Sequence, residues 1–317
     1  MAREESGHGR IVDYGLGRRL YIESPTAVSP NSGARFASMD LSIDHVTVCG
    51  SNLEEMRRAF HRIGLTTTYG GRHANGVTHM DILTFEDGSY VELIAPIGQV
   101  QGAPGMISAW LPRMEGDAGA GTWAVRSNDI HADAARFRAA GIEVRGPEAG
   151  SRQRPDGVRL EWETAIAGAG PAGSVLPFII EDKTARSLRV PAPASRSVIR
   201  GVATIVIGVR DLAASAELFR RAYQSDAPLF EEHPGFGRIA FFPGTPVVLA
   251  TPPHVKFWLA DRIARFGECP AAFLLEVPDL QLAKDRFSFG LEEPWLGGRV
   301  GWFAEKELRV NLGVIAR

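Results

Sequence analysis

Four segments of this 317-residue chain repeat one pattern, and that repetition constrains the fold more than any single motif. Each has a short apolar run, a small polar or acidic corner, and a helix signal that opens on an aliphatic residue and carries Phe seven positions later. The pairs are Leu53 with Phe60, Ile130 with Phe137, Leu212 with Phe219, and Leu280 with Phe287. A spacing of seven puts both side chains on one helix face, so each pair can dock a helix onto a sheet. Ser51, Asn52, Asp129, Asp211 and Asp279 supply N-cap chemistry, and Ser51 with Glu54 has capping-box spacing. Gly64, Gly141 and Gly290 stand where C-caps are needed; the third repeat has Tyr223 there instead.

Strand-like runs follow each helix signal. In the first repeat they are LTTTYGGRH, VTHMDILTF and SYVELIA, whose alternation and β-branched content mark strands. The unit is therefore βαβββ and the class α+β. Two units pair into one curved sheet around a cavity, because a single four-stranded unit leaves its inner face open to water. GDAGAG near 116–121 reads as the link between the first two units, and RVPAPASRS near 189–197 as the link between halves. This predicts an N-terminal extension over 1–38, a first domain over 39–188 and a second over 198–317. Residues 1–38 carry no repeat, and Met39 stands directly before the first strand.

Lys and Arg total 35 against 37 Asp and Glu, a formal charge of -2, so no basic field favours nucleic acid. No apolar run approaches the roughly 20 residues that cross a bilayer, and the start MAREESGHGRIVDYG lacks a signal-peptide core. A cytoplasmic protein without a membrane partner is expected. Cys49 and Cys269 form no CxxC pair, so any metal must use nitrogen and oxygen ligands. PGFG at 234–237 and WLGGRVGW at 295–302 lie outside a strand-to-helix phosphate-loop context.

The segments IDHVTVCGSNLEEM, GRHANGVTHMDILTFEDGSYVELIAP, SRQRPDGVRLEWETA and LPFIIED resemble the glyoxalase-like branch of the vicinal oxygen chelate superfamily, over residues 41 to 182. Over 200 to 315 only the repeat pattern persists. The resemblance implies two domains of tandem βαβββ modules and, in many members, a divalent metal (Zn, Mn, Fe or Ni) held at the cavity floor by His and Glu from first and last strands.

Read alone, His45 sits in the first strand of unit one and Glu92 in its last, where an acid is costly to bury without a partner or metal. Glu181 repeats that placement in unit two when the preceding turns are aligned. His45, Glu92 and Glu181 are thus the expected metal ligands. His79, in the middle strand, is the expected acid or base, with Asp81 on the same face by alternation. Arg72 and His73 in GGRHANG can reach over the cavity mouth to substrate, and Arg154 joins them, held by Asp156 in a turn. Each histidine alone reads more often as a hydrogen-bonded cavity or surface residue. Cys49 reads as a small buried residue, and Trp123 and Trp162 as wall or core.

Thr122, Thr204 and Ala272 occupy the positions matching His45, and Val248 and Asn311 those matching Glu92, so the later units have lost the ligand set. One site per chain is expected, in the first half. The expected activity is metal-dependent lyase, isomerase or dioxygenase chemistry on a small oxygenated substrate. A non-catalytic binder that sequesters an aromatic drug is the alternative, and a homodimer is expected by analogy.

Overall fold

The computed structural model describes residues 9–13 and 19–23 by backbone, and 41–100, 105–193, 197–304, 308 and 310–317 in full. Met1–Ala37 forms one unit and Ser38–Arg317 another. The first holds an antiparallel hairpin, β1 (Gly9–Asp13) and β2 (Arg19–Glu23).

Within the second unit the four repeats each fold as βαβββ. Unit one is β3 (Ile43–Cys49), α1 (Leu53–Arg62), β4 (Thr68–His73), β5 (Thr78–Thr84) and β6 (Tyr90–Pro96). After α2 (Gly105–Glu115), unit two is β7 (Gly119–Arg126), α3 (Ile130–Ala139), β8 (Val144–Gln153), β9 (Arg159–Ala167) and β10 (Phe178–Asp182). The short α4 (Arg186–Arg189) leads out of it. Unit three is β11 (Gly201–Gly208), α5 (Leu212–Tyr223), β12 (Leu229–His233), β13 (Gly237–Phe241) and β14 (Val247–Thr251). Then come α6 (Trp258–Phe266) and unit four: β15 (Cys269–Val277), α7 (Leu280–Lys284), β16 (Phe289–Trp295), β17 (Gly298–Phe303) and β18 (Asn311–Ala316).

Units one and two close a barrel in the order β10-β7-β3-β6-β5-β4-β8-β9, whereas units three and four form an open eight-stranded sheet with β12 and β16 at its edges. The protein is α+β, with a barrel and a half-barrel. The repeat helices begin on Leu53, Ile130, Leu212 and Leu280, and Asn52, Asp129, Asp211 and Asp279 each accept a backbone N–H at the helix start. The first cap is Asn52 alone; Ser51 instead bonds Asp117 through its hydroxyl and backbone N–H, both at 2.8 Å. Gly64 and Gly141 follow their helices at φ 87° and 71°, and Gln224 takes the left-handed position after α5. Phe60, Phe137 and Phe219 are buried on their helices, while Phe287 lies beyond the end of α7.

These helices and the outer sheet faces share one core that joins the halves; Trp123 stacks on Phe219 at 6.3 Å within it. The stretch expected as a link near 116–121 is strand from Gly119 onward, because its small residues fit the close β3–β7 pairing, where Cys49 Sγ leaves no room for a Cβ at Gly121. Of the link expected near 189–197, residues 194–196 lie outside the described residues, and Arg189 is buried at 4% exposure in the barrel. Among the described residues no helix is long and apolar enough to cross a membrane.

Candidate functional site

Strand alternation decides which side chains enter the barrel. His45 and Tyr90 are register partners, as are Thr47 and Glu92, so all four turn inward together. The imidazole of His45 stacks on Tyr90 at 4.7 Å. Its Nδ1 lies 2.6 Å from Asp44 Oδ1, both groups buried. Burial opposes the charge on Asp44, but Arg189, His45 and Arg186 together hold its carboxyl well below the usual range. Arg189 and Arg186 each donate to Asp44 Oδ2 at 2.6 Å, and both also bond Asp182. An ionised Asp44 keeps the His45 proton on Nδ1, leaving the Nε2 lone pair on the cavity side.

His45 Nε2 lies 3.7 Å from Glu92 Oε2, and His73 Nε2 lies 3.5 Å from Glu92 Oε1. Thr47 donates its hydroxyl to Oε2 at 3.0 Å. Burial pushes the Glu92 pKa up, yet His73, His45 and Thr47 outweigh it and bring it down to about 2. The His73 ring is fixed from behind by Thr78, its Nδ1 lying 2.9 Å from Oγ1. What results is a buried carboxylate bracketed by two imidazoles.

A cavity of about 340 Å³ opens onto this cluster. Its apolar wall includes Met80, Met106, Trp110, Trp162, Phe178 and Ile180, and Arg152 and Arg189 line it as well. α2 contributes Met106, Ile107 and Trp110 from one side, with Trp110 Nε1 donating to Ala172 O at 3.0 Å.

His45 and Glu92, expected as partners, are thus brought together, and His73 joins them. Glu181 is not with them. Phe178 and Ile180 face the cavity, so alternation sends Glu181 to the outer face, where it bonds Lys183 at 2.7 Å and accepts the Ile130 N–H at 2.8 Å. Register makes Phe178 the counterpart of Glu92 in unit two: Thr47 pairs with Glu92, and Ala124, at the matching place before the helix, pairs with Phe178, three residues from Glu181. His79 and Asp81 are also outside. Ile82 is the register partner of Glu92, which turns Met80 and Ile82 inward and their neighbours outward. His79 meets Tyr69 edge-on at 6.1 Å on that outer face. Asp81 accepts from Arg57 of α1 twice and from Thr67, each at 2.7 Å, and so fastens the helix. Arg72 is exposed, because the irregularity at Gly70–Gly71 sends His73, not Arg72, inward. Arg154 lies past the end of β8, paired with Asp156 at 2.7 Å and donating to Leu188 O.

Asp44, Arg152 and Arg189 were missed by sequence reasoning. Asp44 stands beside His45 in the sequence, and Arg152 is one strand alternation before Arg154; neither signal identifies a partner by itself. Cys49 is buried, its thiol pushed up to about 12 by desolvation, as suits a packing residue.

A divalent ion requires donors that meet at one point. Among the described residues no group of three or more His, Cys, Asp or Glu side chains does so. The two imidazoles approach different oxygens of Glu92, Thr47 occupies one of those oxygens, and Glu181 is turned away. The three-ligand set expected from sequence is not assembled, and His45, Glu92 and His73 as placed form an acid–base cluster.

A family model described as a glyoxalase-like domain matches residues 43–223. No curated protein matches the sequence. Several solved structures share the fold at low identity. A hypothetical protein from Staphylococcus aureus superposes at TM-score 0.57 with 11% identity, covering 86% of this chain and 98% of that one. The Mn(II)-bound glyoxalase from Novosphingobium aromaticivorans gives 0.51 and 11%, over 88% and 82%. A xylose isomerase-like TIM barrel/4-hydroxyphenylpyruvate dioxygenase fusion protein gives 0.53 and 13%, over 92% of this chain and 51% of that one. This chain therefore spans about half of the fusion protein.

Proposed function

Because this chain belongs to the glyoxalase-like domain family, and a cavity of substrate size opens onto the acid–base cluster of its first barrel, we propose that this barrel is a proton-transfer enzyme site. The substrate is a small oxygenated organic molecule, and the chemistry is of the isomerase or lyase kind. The observation that carries the reading is the buried Asp44–His45 contact at 2.6 Å, which leaves Nε2 of His45 on the cavity side next to Glu92.

An orienting carboxylate, an imidazole and a reacting atom in sequence form the arrangement by which a histidine acts as general base. Here Asp44 fixes the ring and stabilises the imidazolium once His45 Nε2 has taken a proton from substrate. Glu92, ionised and adjacent, faces the same ring nitrogen. His73 Nε2 sits on the other side of Glu92 and can hold or return a proton at a second position on the substrate. α2 and the aromatic wall give the cluster an apolar surround, which strengthens each of these charge interactions.

The test is incorporation of solvent deuterium into small carbonyl and carboxyl compounds, followed by NMR. Wild-type protein is expected to label at least one compound at carbon, and His45→Ala to slow labelling by roughly 100-fold or more. Undiminished labelling by His45→Ala would sink the reading. The aromatic and Met side chains of the wall favour a second reading, a non-catalytic binder; tight binding with no labelling of any ligand would select it.

A further inference from the structure

Two arginines line the cavity, Arg189 and Arg152, and they differ in what neutralises them. Arg186 and Arg189 are neutralised by Asp44 and Asp182, with Arg contacts to Asp44 Oδ2 at 2.6 Å. Arg152 is different. It is 5% exposed, lines the cavity, and among the described residues has no carboxylate within ion-pair distance. Its two described hydrogen bonds go to backbone carbonyls, Gly70 O and Arg189 O. A guanidinium has five N–H donors in a planar fork, and a buried one without an acid is costly to hold. Glu92 is engaged by Thr47 and flanked by His45 and His73, and Glu148 is exposed at the rim.

We propose that Arg152 is the subsite for the carboxylate of a small carboxylic acid whose apolar or aromatic body lies against Trp110, Trp162 and Phe178. The assignment rests on the proton-transfer reading of the same cavity and names its substrate class. Arg152 and His73 are register partners across the β4–β8 seam. Both side chains therefore project from one face of the seam, so an acid held at Arg152 lies beside His73. The fork selects a planar two-oxygen anion, and the cavity volume, about 340 Å³, suits one small molecule.

Calorimetric titration of the full chain tests this with a panel of arylalkanoic and alkanoic acids, each matched to its neutral amide and its phosphonate. At least one carboxylate is expected to bind roughly 10- to 100-fold more tightly than its amide. Arg152→Gln should abolish that preference while leaving amide binding in place, and Arg152→Lys should restore part of it. The wild-type comparison of matched pairs needs no variant, so a folding defect in Arg152→Gln cannot obscure it. The proposal is overturned if no carboxylate exceeds its amide, if phosphonates are preferred, or if the preference survives in Arg152→Gln. Deuterium labelling of the bound carboxylates is read separately. Selective binding without labelling contradicts proton transfer and leaves the anion subsite standing; labelling without carboxylate preference does the reverse.

Discussion

Glu92 is the residue on which the site's electrostatics converge. Its carboxyl, ordinarily near 4.5, is brought down to about 2 by His73, His45 and Thr47 against the cost of burial. A depressed folded-state pKa means that ionised Glu92 stabilises the fold fully above the unfolded value. That contribution is lost as pH falls through the interval from 4.5 towards 2. Glu92→Gln removes this titration. Denaturant midpoints measured across pH are expected to show the variant less stable by a few kcal/mol at neutral pH, with the gap narrowing on acidification. A gap that stays constant down to the acid limb would contradict the assignment. At this scale His45 and Glu92 were legible in the sequence, since a histidine and an acid inside apolar strands need a reason to be there. Arg152 was not, because nothing in SRQRP distinguishes the arginine that turns inward from the one that meets Asp156 in the turn.

Register governs the next scale. The repeat fixed four helix starts to the residue, because cap chemistry and the aliphatic–Phe spacing act locally. The facing of β5 and β10 depends on partners in other strands. His79 and Asp81 stand outside because Ile82 pairs with Glu92, and Glu181 stands outside because Phe178 pairs with Ala124 of β7. Turn alignment carries no information about slips in register, and a slip of an odd number of residues reverses the face. The seam that closes the barrel makes the same point. Gly71 adopts φ 110°, and a Cβ there would lie 2.3 Å from Gln153 O on β8. Gly71→Ala is expected to cost at least about 2 kcal/mol, combining left-handed strain with the clash, and to weaken ligand binding, since β4 carries His73 and β8 carries Arg152. Thermal unfolding together with ligand titration checks this; unchanged stability and affinity would show that the seam does not need a glycine.

On the scale of the whole molecule, one repeat yields two outcomes. β4 pairs with β8 and closes the first sheet, while their counterparts β12 and β16 stay apart at the edges of the second. The second sheet carries a cluster of rings: Trp295 lies 4.9 Å from His233, 5.5 Å from Phe236 and 6.1 Å from Trp302. α6 packs onto the same cluster through Leu259 and Ile263, as α2 packs over the cavity of the barrel. The absence of ligand-type residues at the matching positions of units three and four is read from the sequence itself; the aromatic filling was not legible, because Phe236 in the β12–β13 turn, Trp295 on β16 and Trp302 on β17 meet only when the sheet curls. Ligand titration is expected to give one site per chain, unaffected by Trp302→Ala. A second equivalent of ligand, lost in that variant, would place a functional cavity in the second half.

The account depends on Asp44 holding the His45 proton at Nδ1 so that Nε2 is available to substrate. Nitrogen-15 NMR of the His45 ring reads this directly. In the pH range where the ring is neutral, the account predicts the Nδ1–H tautomer in wild-type protein and its loss in Asp44→Asn, whereas an Nε2–H tautomer in wild-type protein would contradict it.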